Sequence, residues 1–494
     1  MTSNLNKPRV SVVVPTFNRA ELMQPTLDSI LAQTFNATGE MEVIVVDNAS
    51  TDATQDVIRT RYAGRVRYIR NPTNLGYIAS YNIGYHATRG DYVTVFDSDD
   101  LMEPAKIAEQ VRYLDRHPDM GLVQVRYYHI DQDGKLIDRV GNLNTGHMLE
   151  GLLTGRFGQW GSGWLIRREC MERVNAYDPD TAPSTDTDLL IRLSLEGYQL
   201  GAVQKLLGRY RVHPGAQSFQ APWWETGIVR MLDNAFNNPK MPPAMHALKD
   251  DSYGHARFYI SFLYYLSGAW REGADNLGEA IRLQKPWQTY PQLPADAIVN
   301  FALGSRVGDP LRYVTGTFDH LPPGSRLETQ RQRVFGLVKT GMAFRRFAEG
   351  DPASARQLLD DAMLVYPAIT ATNEFTQLLV LAAVSLPVAN PLHFVESVFR
   401  QLPPVCAPLS GARPGVLGKV AWYGAFEAHY AEHASDALGL ALQAVRYQPD
   451  LLRNKGTLSV LGKSLIRAAA GMTRPAAEWR LCNLFDRVLR KRHA

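Results

Sequence analysis

The first hundred residues alternate short apolar runs with stretches of helical spacing. The runs at residues 10–14, 43–46 and 66–69 are rich in β-branched side chains, and polar turn formers close each run. Between the first two runs, Leu27, Ile30 and similar residues recur at helical spacing. Short apolar strands that alternate with helices are typical of a parallel sheet covered on both faces. The pattern therefore predicts an α/β domain with a Rossmann-like, mostly parallel sheet.

Polar residues follow the predicted strands at their carboxyl ends. Asp47 comes after the second strand, Asn74 follows the third, and an acidic cluster at residues 97–100 follows a fourth run at residues 92–96. In sheets of this kind, ligands bind at the carboxyl ends of the strands. We therefore expect these residues to share one edge of the sheet.

The acidic cluster contains three carboxylates, Asp97, Asp99 and Asp100. They repel one another unless a positive charge lies among them, and oxygen ligands of this kind suit Mg²⁺ or Mn²⁺, often together with a diphosphate. The cluster thus favours metal-assisted chemistry on a nucleotide-linked substrate. The alternative is a solvated acidic turn that caps the next helix, with Pro104 in its first turn.

Motifs and composition argue against several other classes of protein. Neither G-x-G-x-x-G nor G-x-x-x-x-G-K-[ST] occurs, which argues against a Rossmann dehydrogenase or a P-loop NTPase. The net charge of +4 gives no case for nucleic-acid binding. Cys170, Cys406 and Cys482 are far apart, which is consistent with reduced thiols and a cytoplasmic location. We expect no secretory signal, because the first strand begins within about ten residues.

Five segments in this order resemble the inverting family-2 glycosyltransferases of the GT-A fold. They are VSVVVPTFNR (10–19), VIVVDNASTD (43–52), NLGYIASYNIGYHATRGDYVTVFDSDD (74–100), STDTDLLIRLSLEG (184–197) and YRVHPGAQS (210–218). The resemblance covers roughly residues 8–220 and implies a domain over residues 1–220. It also implies a nucleotide-sugar donor, typically UDP-linked, from which one sugar is transferred to an acceptor hydroxyl in a glycan, a lipid-linked molecule or a protein.

The resemblance assigns roles on the donor side residue by residue. Asp47 would contact the nucleobase, Asp97 the ribose, and Asp99 the divalent cation, Mn²⁺ or Mg²⁺. His213 matches a position that approaches the cation in some members, whereas a lone histidine is more often structural. The implied donor-binding residues are Pro15, Thr16, Asn18, Arg19, Asp47, Asn74, Asp97 and Ser98.

On the acceptor side, Asp186 matches the position of the general base. The family usually has an acidic residue just before it, where this chain has Thr185. Asp186 and Asp188 precede an apolar helical run, so the alternative is that they are helix N-terminal acids stabilised by the helix dipole. Trp160 and Trp164 flank a Gly-Ser-Gly turn, and they would either stack on the acceptor or pack in the core.

Beyond residue 220 the strand signals largely vanish. Residues 221–254 are predicted to be a linker, and residues 255–494 an all-α repeat region. Gly268, Ala280 and Pro286 are echoed by Gly350, Ala362 and Pro367, with a period of about eighty residues. The first of these sets resembles a tetratricopeptide helix pair. Such a solenoid would bind a protein partner, a second copy of the chain or a long acceptor.

Two functions follow for the whole chain. The first is an active glycosyltransferase whose repeats recruit the acceptor or a partner, and the second is an interaction scaffold with an inactive transferase-like domain. The tail at residues 479–493 either covers the end of the repeats or rests on an anionic membrane, because apolar positions precede Arg490-Lys491-Arg492. Membrane contact would therefore be peripheral at most. A sugar nucleotidyltransferase is disfavoured, because the glycine- and lysine-rich loop of that class is missing.

Overall fold

The computed structural model describes residues 7–38, 41–155, 160–213 and 220–470. These residues form two compact units. The first contains the described residues up to Pro294 together with Thr315–Glu328, and the second contains Ala295–Val314 and the described residues from Thr329 onward.

A single nine-stranded sheet forms the centre of the first unit. Its strands are β1 (Val10–Thr16), β2 (Met41–Asp47), β3 (Arg67–Arg70), β4 (Tyr92–Val95), β5 (Leu101–Met102), β6 (Met120–Ile130), β7 (Leu136–Arg139), β8 (Leu165–Arg167) and β9 (Gln199–Arg211). The order is β3-β2-β1-β4-β8-β6-β9-β5, with β7 beside β6. Neighbours among β1 to β4 are parallel, as are β6 and β9, whereas β5, β7 and β8 run antiparallel to their partners.

The helices up to residue 289 belong to the first unit. They are α1 (Met23–Leu31), α2 (Thr54–Arg61), α3 (Tyr77–Ala87), α4 (Lys106–Arg116), α5 (Leu149–Leu153), α6 (Arg168–Arg173), α7 (Thr185–Leu195), α8 (Ala221–Asn237), α9 (Lys249–Ser267), α10 (Trp270–Leu283) and α11 (Lys285–Thr289). The helices that follow are α12 (Gln292–Ala302), α13 (Pro310–Asp319), α14 (Arg331–Ala348), α15 (Pro352–Val365), α16 (Glu374–Ser385), α17 (Pro391–Arg400), α18 (Arg413–Tyr430), α19 (Ala434–Tyr447) and α20 (Lys455–Ala470).

Strand β1 explains why the domain needs helices on both faces. All of its residues are buried. Val12 and Val14 belong to one core cluster with Leu27 of α1, whereas Val13 faces Gly84 of α3, where an added Cβ would lie 2.2 Å from Val13 Cγ1. The predicted fold class is confirmed: a curled, mostly parallel α/β sheet domain comes first, and a helical region follows it.

The repeated residues of the helical region occupy matching places in successive helix pairs. Gly268 and Gly350 end α9 and α14 in left-handed conformation, with φ of 81° and 80°. Glu432 follows α18 with a φ of 66°, about eighty residues further along the chain. Ala280 and Ala362 are fully buried in the second helix of each pair. The helices are as predicted, and the tetratricopeptide assignment stays a prediction.

Residues 221–254, expected as a linker, contain α8 and the first part of α9. The predicted tail at residues 479–493 lies outside the described residues. In the part of the chain that the structure describes, no helix combines the length and apolar character needed to cross a membrane.

Candidate functional site

The loop after β4 presents the acidic cluster at the carboxyl edge of the sheet. Asp97 Oδ1 accepts a hydrogen bond of 2.8 Å from the Tyr81 hydroxyl, and the Ser162 hydroxyl donates to Asp97 Oδ2 at 3.2 Å. Ser162 Oγ also accepts from the backbone N–H of Asp97 at 3.0 Å. Burial and the neighbouring charge of Asp99 raise the pKa of Asp97.

Asp99 lies between two basic side chains. Its Oδ2 atom forms an ion pair with Arg19 and lies 3.0 Å from Nε2 of His213. Burial by itself would raise the pKa of Asp99, but the hydrogen bond with His213 and the charge of Arg19 outweigh it and lower the pKa. Arg19 and His213 therefore favour the ionised form of Asp99.

Asp100 points away from this edge into the core. Its carboxylate accepts from Trp160 Nε1 at 2.6 Å and from the backbone N–H of Arg211 at 2.9 Å. Burial, followed by the charges of Asp99 and Asp97, raises the pKa of Asp100 well above its usual value. Asp100 thus has a structural role that ties β4 to β9.

The two tryptophans beside the Gly-Ser-Gly turn lie in the core. Trp160 is 6% exposed and packs against Phe96 and Tyr127, and Trp164 is 1% exposed. Their rings present almost no surface to a sugar. The geometry therefore favours the core-packing alternative over stacking on the acceptor.

Asp47 anchors the neighbouring part of the edge. Its fully buried carboxylate accepts from the Tyr68 hydroxyl and from Arg70 Nη1 at 2.6 Å each, and from the backbone N–H of Ser50 at 2.8 Å. Asp47 therefore holds the partly exposed Arg70 in place. Any direct contact of Asp47 with a nucleobase would use the remaining acceptor capacity of Oδ1.

The other predicted donor residues line the loops around Asp47. Asn18, at a φ of 52°, accepts from the Thr51 N–H at 2.7 Å and so joins the loops after β1 and β2. Asn74 Oδ1 accepts from Asn48 Nδ2 at 2.7 Å and orders the loop before α3. Thr16 Oγ1 is buried and lacks a hydrogen-bond partner among the described residues. Pro15 and Ser98 are also buried.

Asp186 stands in the first turn of α7, beside the Gly-Ser-Gly turn. A Cβ added at Gly161 would lie 2.4 Å from Asp186 Oδ2, so this glycine makes room for the carboxyl group. Burial, and to a smaller extent the charge of Asp97, raises the pKa of Asp186 to about 7. Because Ser162 of the same turn donates to Asp97, Asp186 lies beside the acidic cluster.

The neighbours of Asp186 on α7 have other tasks. Asp188 is 3% exposed and pairs with Arg192 Nε at 2.7 Å. Thr185 is buried and lies close to Tyr77. Asp188 is therefore engaged in a buried ion pair with Arg192. Of the two acids, Asp186 is the candidate for acid–base chemistry.

The residues at the edge fit a divalent cation in part. Asp99 Oδ2 and His213 Nε2 supply one carboxylate oxygen and one imidazole nitrogen, a donor set that suits Mn²⁺. Within the described residues, no three or more acidic, histidine or cysteine side chains gather to hold a metal. Ions of this kind often take one or two protein ligands and complete their shell with phosphate and water. Arg19 contacts the same oxygen of Asp99, so a cation there would have to displace it.

Sequence comparisons agree with this geometry. Residues 11–174 match the model of glycosyl transferase family 2. Over these residues the chain is similar to that family. Asp186 and His213 lie beyond the matched residues, so their roles depend on the arrangement just described.

Several relatives are similar to part of this chain, and two of the three that follow are named as glycosyltransferases. An uncharacterized glycosyltransferase of Methanocaldococcus jannaschii is 25% identical over 222 residues, which are 43% of this chain and 73% of that protein. The putative glycosyltransferase EpsE of Bacillus subtilis is 26% identical over 238 residues, 46% of this chain and 80% of EpsE. An uncharacterized protein of Mycobacterium tuberculosis is 38% identical over 114 residues, which are 22% of this chain and 32% of that protein.

Solved structures that match this chain include TarS of S. aureus. The match has a TM-score of 0.42 and 17% identity, and it covers 63% of this chain and 54% of TarS. TarS 1–349 in complex with UDP-GlcNAc has a TM-score of 0.41 and 16% identity, covering 74% of this chain and 92% of that one. The mannosyltransferase PcManGT of Pyrobaculum calidifontis, in complex with GDP-Man and Mn²⁺, has a TM-score of 0.41 and 20% identity, covering 64% and 88%.

Some residues of the site were not predicted from the sequence. Tyr81 and Ser162 hold Asp97, and Tyr68 and Arg70 hold Asp47. Tyr81 lies within the segment 74–100 that carries the resemblance, on the first helix after the third strand. This position could have indicated that Tyr81 belongs to the site. Ser162 offered a weaker one, as the polar residue between two glycines.

Proposed function

We propose that the first unit transfers a sugar from a nucleotide-sugar donor to an acceptor hydroxyl, with inversion at the anomeric carbon. The donor that we propose first is a UDP-linked sugar. The observation that carries this proposal is the position of Asp186. It is a partly exposed carboxyl group with a pKa of about 7, and it lies beside the acidic cluster at the sheet edge. A general base works best when its pKa is near the operating pH.

The donor would lie along the edge from Asp47 to Asp99. The nucleoside end would contact the loops around Asp47, Thr16 and Asn18, and Asp97 would accept from the ribose. Asp99 and His213 would hold a divalent cation on the diphosphate. When bound, that cation would offset the negative charge that develops on the leaving nucleoside diphosphate.

The residues of the chain would guide the displacement itself. Asp186 would take the proton of the acceptor hydroxyl while that oxygen forms a bond to the anomeric carbon. The bond from that carbon to the diphosphate oxygen breaks in the same step. The base and the leaving group would lie on opposite sides of the sugar, so one displacement would invert the configuration.

The comparisons support a transferase and give no support to the alternative of an inactive scaffold. The acceptor, the partners of the helical region and the cytoplasmic location stay predictions. A polysaccharide, a glycolipid and a glycoprotein glycan each remain within the proposed acceptor class.

The test is a donor panel with Mn²⁺, Mg²⁺ or EDTA that includes UDP-GlcNAc, UDP-glucose and GDP-mannose. Release of nucleoside diphosphate is measured for the wild type, Asp99→Asn, Asp186→Asn and the matched control Asp133→Asn, an exposed turn residue. We expect metal-dependent release that both site variants lose and the control keeps, and proton NMR of the product should show inversion. Retention of configuration, or equal release by Asp186→Asn, would refute the mechanism.

A further inference from the structure

Trp223 belongs to an aromatic group beside α7. Its ring meets Tyr77 edge-on, with centroids 5.8 Å apart at 87°. Tyr77 in turn meets Tyr81 at 5.2 Å, and Tyr81 meets Tyr177 at 5.2 Å, both edge-on. We call Tyr77, Tyr81, Tyr177 and Trp223 the aromatic cluster. Trp223 lies beyond the segment that matches the family model.

The aromatic cluster borders the base proposed above. Tyr77 lies close to Thr185, the residue before Asp186, and the Tyr81 hydroxyl donates to Asp97. Burial, with a smaller effect of the Asp186 and Asp97 charges, raises the pKa of Tyr77 above its usual range. The phenol groups therefore stay protonated and can donate hydrogen bonds.

Close packing of α8 on the segment before α7 places Trp223 there. A Cβ at Gly227 would lie 2.2 Å from the carbonyl oxygen of Ala182, so only glycine allows this approach. Gly227 is four residues after Trp223, one turn along the same helix. The position of the indole is thus fixed by backbone contact.

The exposure of the cluster distinguishes it from core packing. Tyr77, Tyr81 and Trp223 each remain partly exposed, whereas Tyr177 is buried. Amphipathic aromatic side chains that keep a polar tip and an open apolar surface are common at binding surfaces. The nearby carboxyl groups of Asp97 and Asp186 make the surroundings electronegative, which favours a neutral ligand over an anionic one.

We propose that Trp223 and Tyr77 form a subsite for a neutral pyranose ring of the acceptor, with one of its hydroxyls directed to Asp186. The apolar face of the ring would lie on the indole, and the phenol groups would hydrogen-bond to its hydroxyls. The proposal rests on the function proposed above and specifies its acceptor as a carbohydrate. Trp223 is therefore a positioning residue that selects the acceptor.

The test compares Trp223→Ala with Trp224→Ala. Trp224 is the next residue, and its ring packs edge-on against Tyr259, with centroids 5.7 Å apart. The acceptor probes are methyl β-D-glucopyranoside and its anionic counterpart, methyl β-D-glucuronide. We expect Trp223→Ala to raise the KM for the neutral glycoside about tenfold, a common effect of removing a buried aromatic anchor. The rate at which water hydrolyses the donor should be the same for Trp223→Ala and the wild type. Trp224→Ala should keep the wild-type KM for the neutral glycoside, and Trp223→Phe should keep most of the wild-type activity.

A binding measurement keeps the subsite separate from the transferase activity. Saturation-transfer NMR of methyl β-D-glucopyranoside should give a signal with the wild type and Trp223→Phe, and lose it with Trp223→Ala at unchanged circular dichroism and melting temperature. A signal of this pattern without any sugar transfer would support the subsite and refute the proposed function. Equal signals for wild type and Trp223→Ala, or a preference for the glucuronide, would overturn the subsite.

Discussion

Replacing Asp186 by Asn should stabilise the first unit in a pH-dependent way. In the folded protein, burial raises the pKa of Asp186 from its usual 3.8 to about 7. Between these two values the folded chain binds more protons than the unfolded chain does. The wild type therefore loses stability as the pH rises through this window, and the loss is complete above pH 7. Asn does not ionise, so the free energy of unfolding of Asp186→Asn should not fall in this pH window for the same reason.

The expected size follows from the difference between the two pKa values. A difference of about three pH units corresponds to about 4 kcal/mol. Because Asp186 is partly exposed, solvent relaxation reduces the effect, and we expect about 2–4 kcal/mol. The stability advantage of Asp186→Asn over the wild type should therefore be larger at pH 8 than at pH 4 by about this amount.

Urea unfolding in EDTA at pH 4, 6 and 8 measures this difference as a free energy of unfolding. Asp133→Asn is the matched control, because Asp133 is exposed on the turn between β6 and β7. A surface substitution of this kind should change stability by no more than about 0.5 kcal/mol. An equal advantage of Asp186→Asn at all three pH values would refute the claim that burial of this carboxyl group raises its pKa.

Three further substitutions test other parts of the structure. Asp47→Asn should lower the free energy of unfolding by about 1–3 kcal/mol, because Arg70 loses a charged partner while remaining partly solvated; an unchanged urea midpoint would contradict this. Gly161→Ala should lower kcat about a hundredfold at unchanged donor affinity, because the new Cβ would displace the Asp186 carboxyl group. Full activity in a steady-state assay would show that the carboxyl position is unimportant. Glu432→Gly should raise the stability of the second unit by about 1 kcal/mol, because a φ of 66° strains residues with a Cβ; a lower melting temperature would count against that strain.

The sequence predicted the edge of the sheet well, because local patterns determine it. The apolar runs became β1, β2 and β4, and parallel pairing brought their carboxyl ends together. Asp47 and the acidic cluster followed from this geometry. The antiparallel strand β8 was not predicted, because its three residues give too little pattern. Pairing between distant segments depends on tertiary packing, which periodicity does not report.

Side-chain roles were harder to predict than positions. The resemblance assigned the cation to Asp99, but spacing alone does not show that the carboxyl groups of Asp99 and Asp100 face opposite ways, one toward His213 and the other toward Trp160. The sequence also left open whether Trp160 packs in the core or binds the acceptor, and its burial favours core packing. Trp223 was expected in a linker, and only the helix α8 brings it to Tyr77. These outcomes depend on which side chains meet across the fold.

Single-turnover transfer by Asp186→Asn tests the central claim most directly. With a donor and acceptor that the wild type uses, the variant should bind the nucleotide sugar within about threefold of the wild type, since Asn keeps the shape of the site. Its transfer step should be slower by about 10²–10⁴, the usual contribution of a general base. A transfer rate equal to that of the wild type would show that the proton leaves by another route and that Asp186 is not the base.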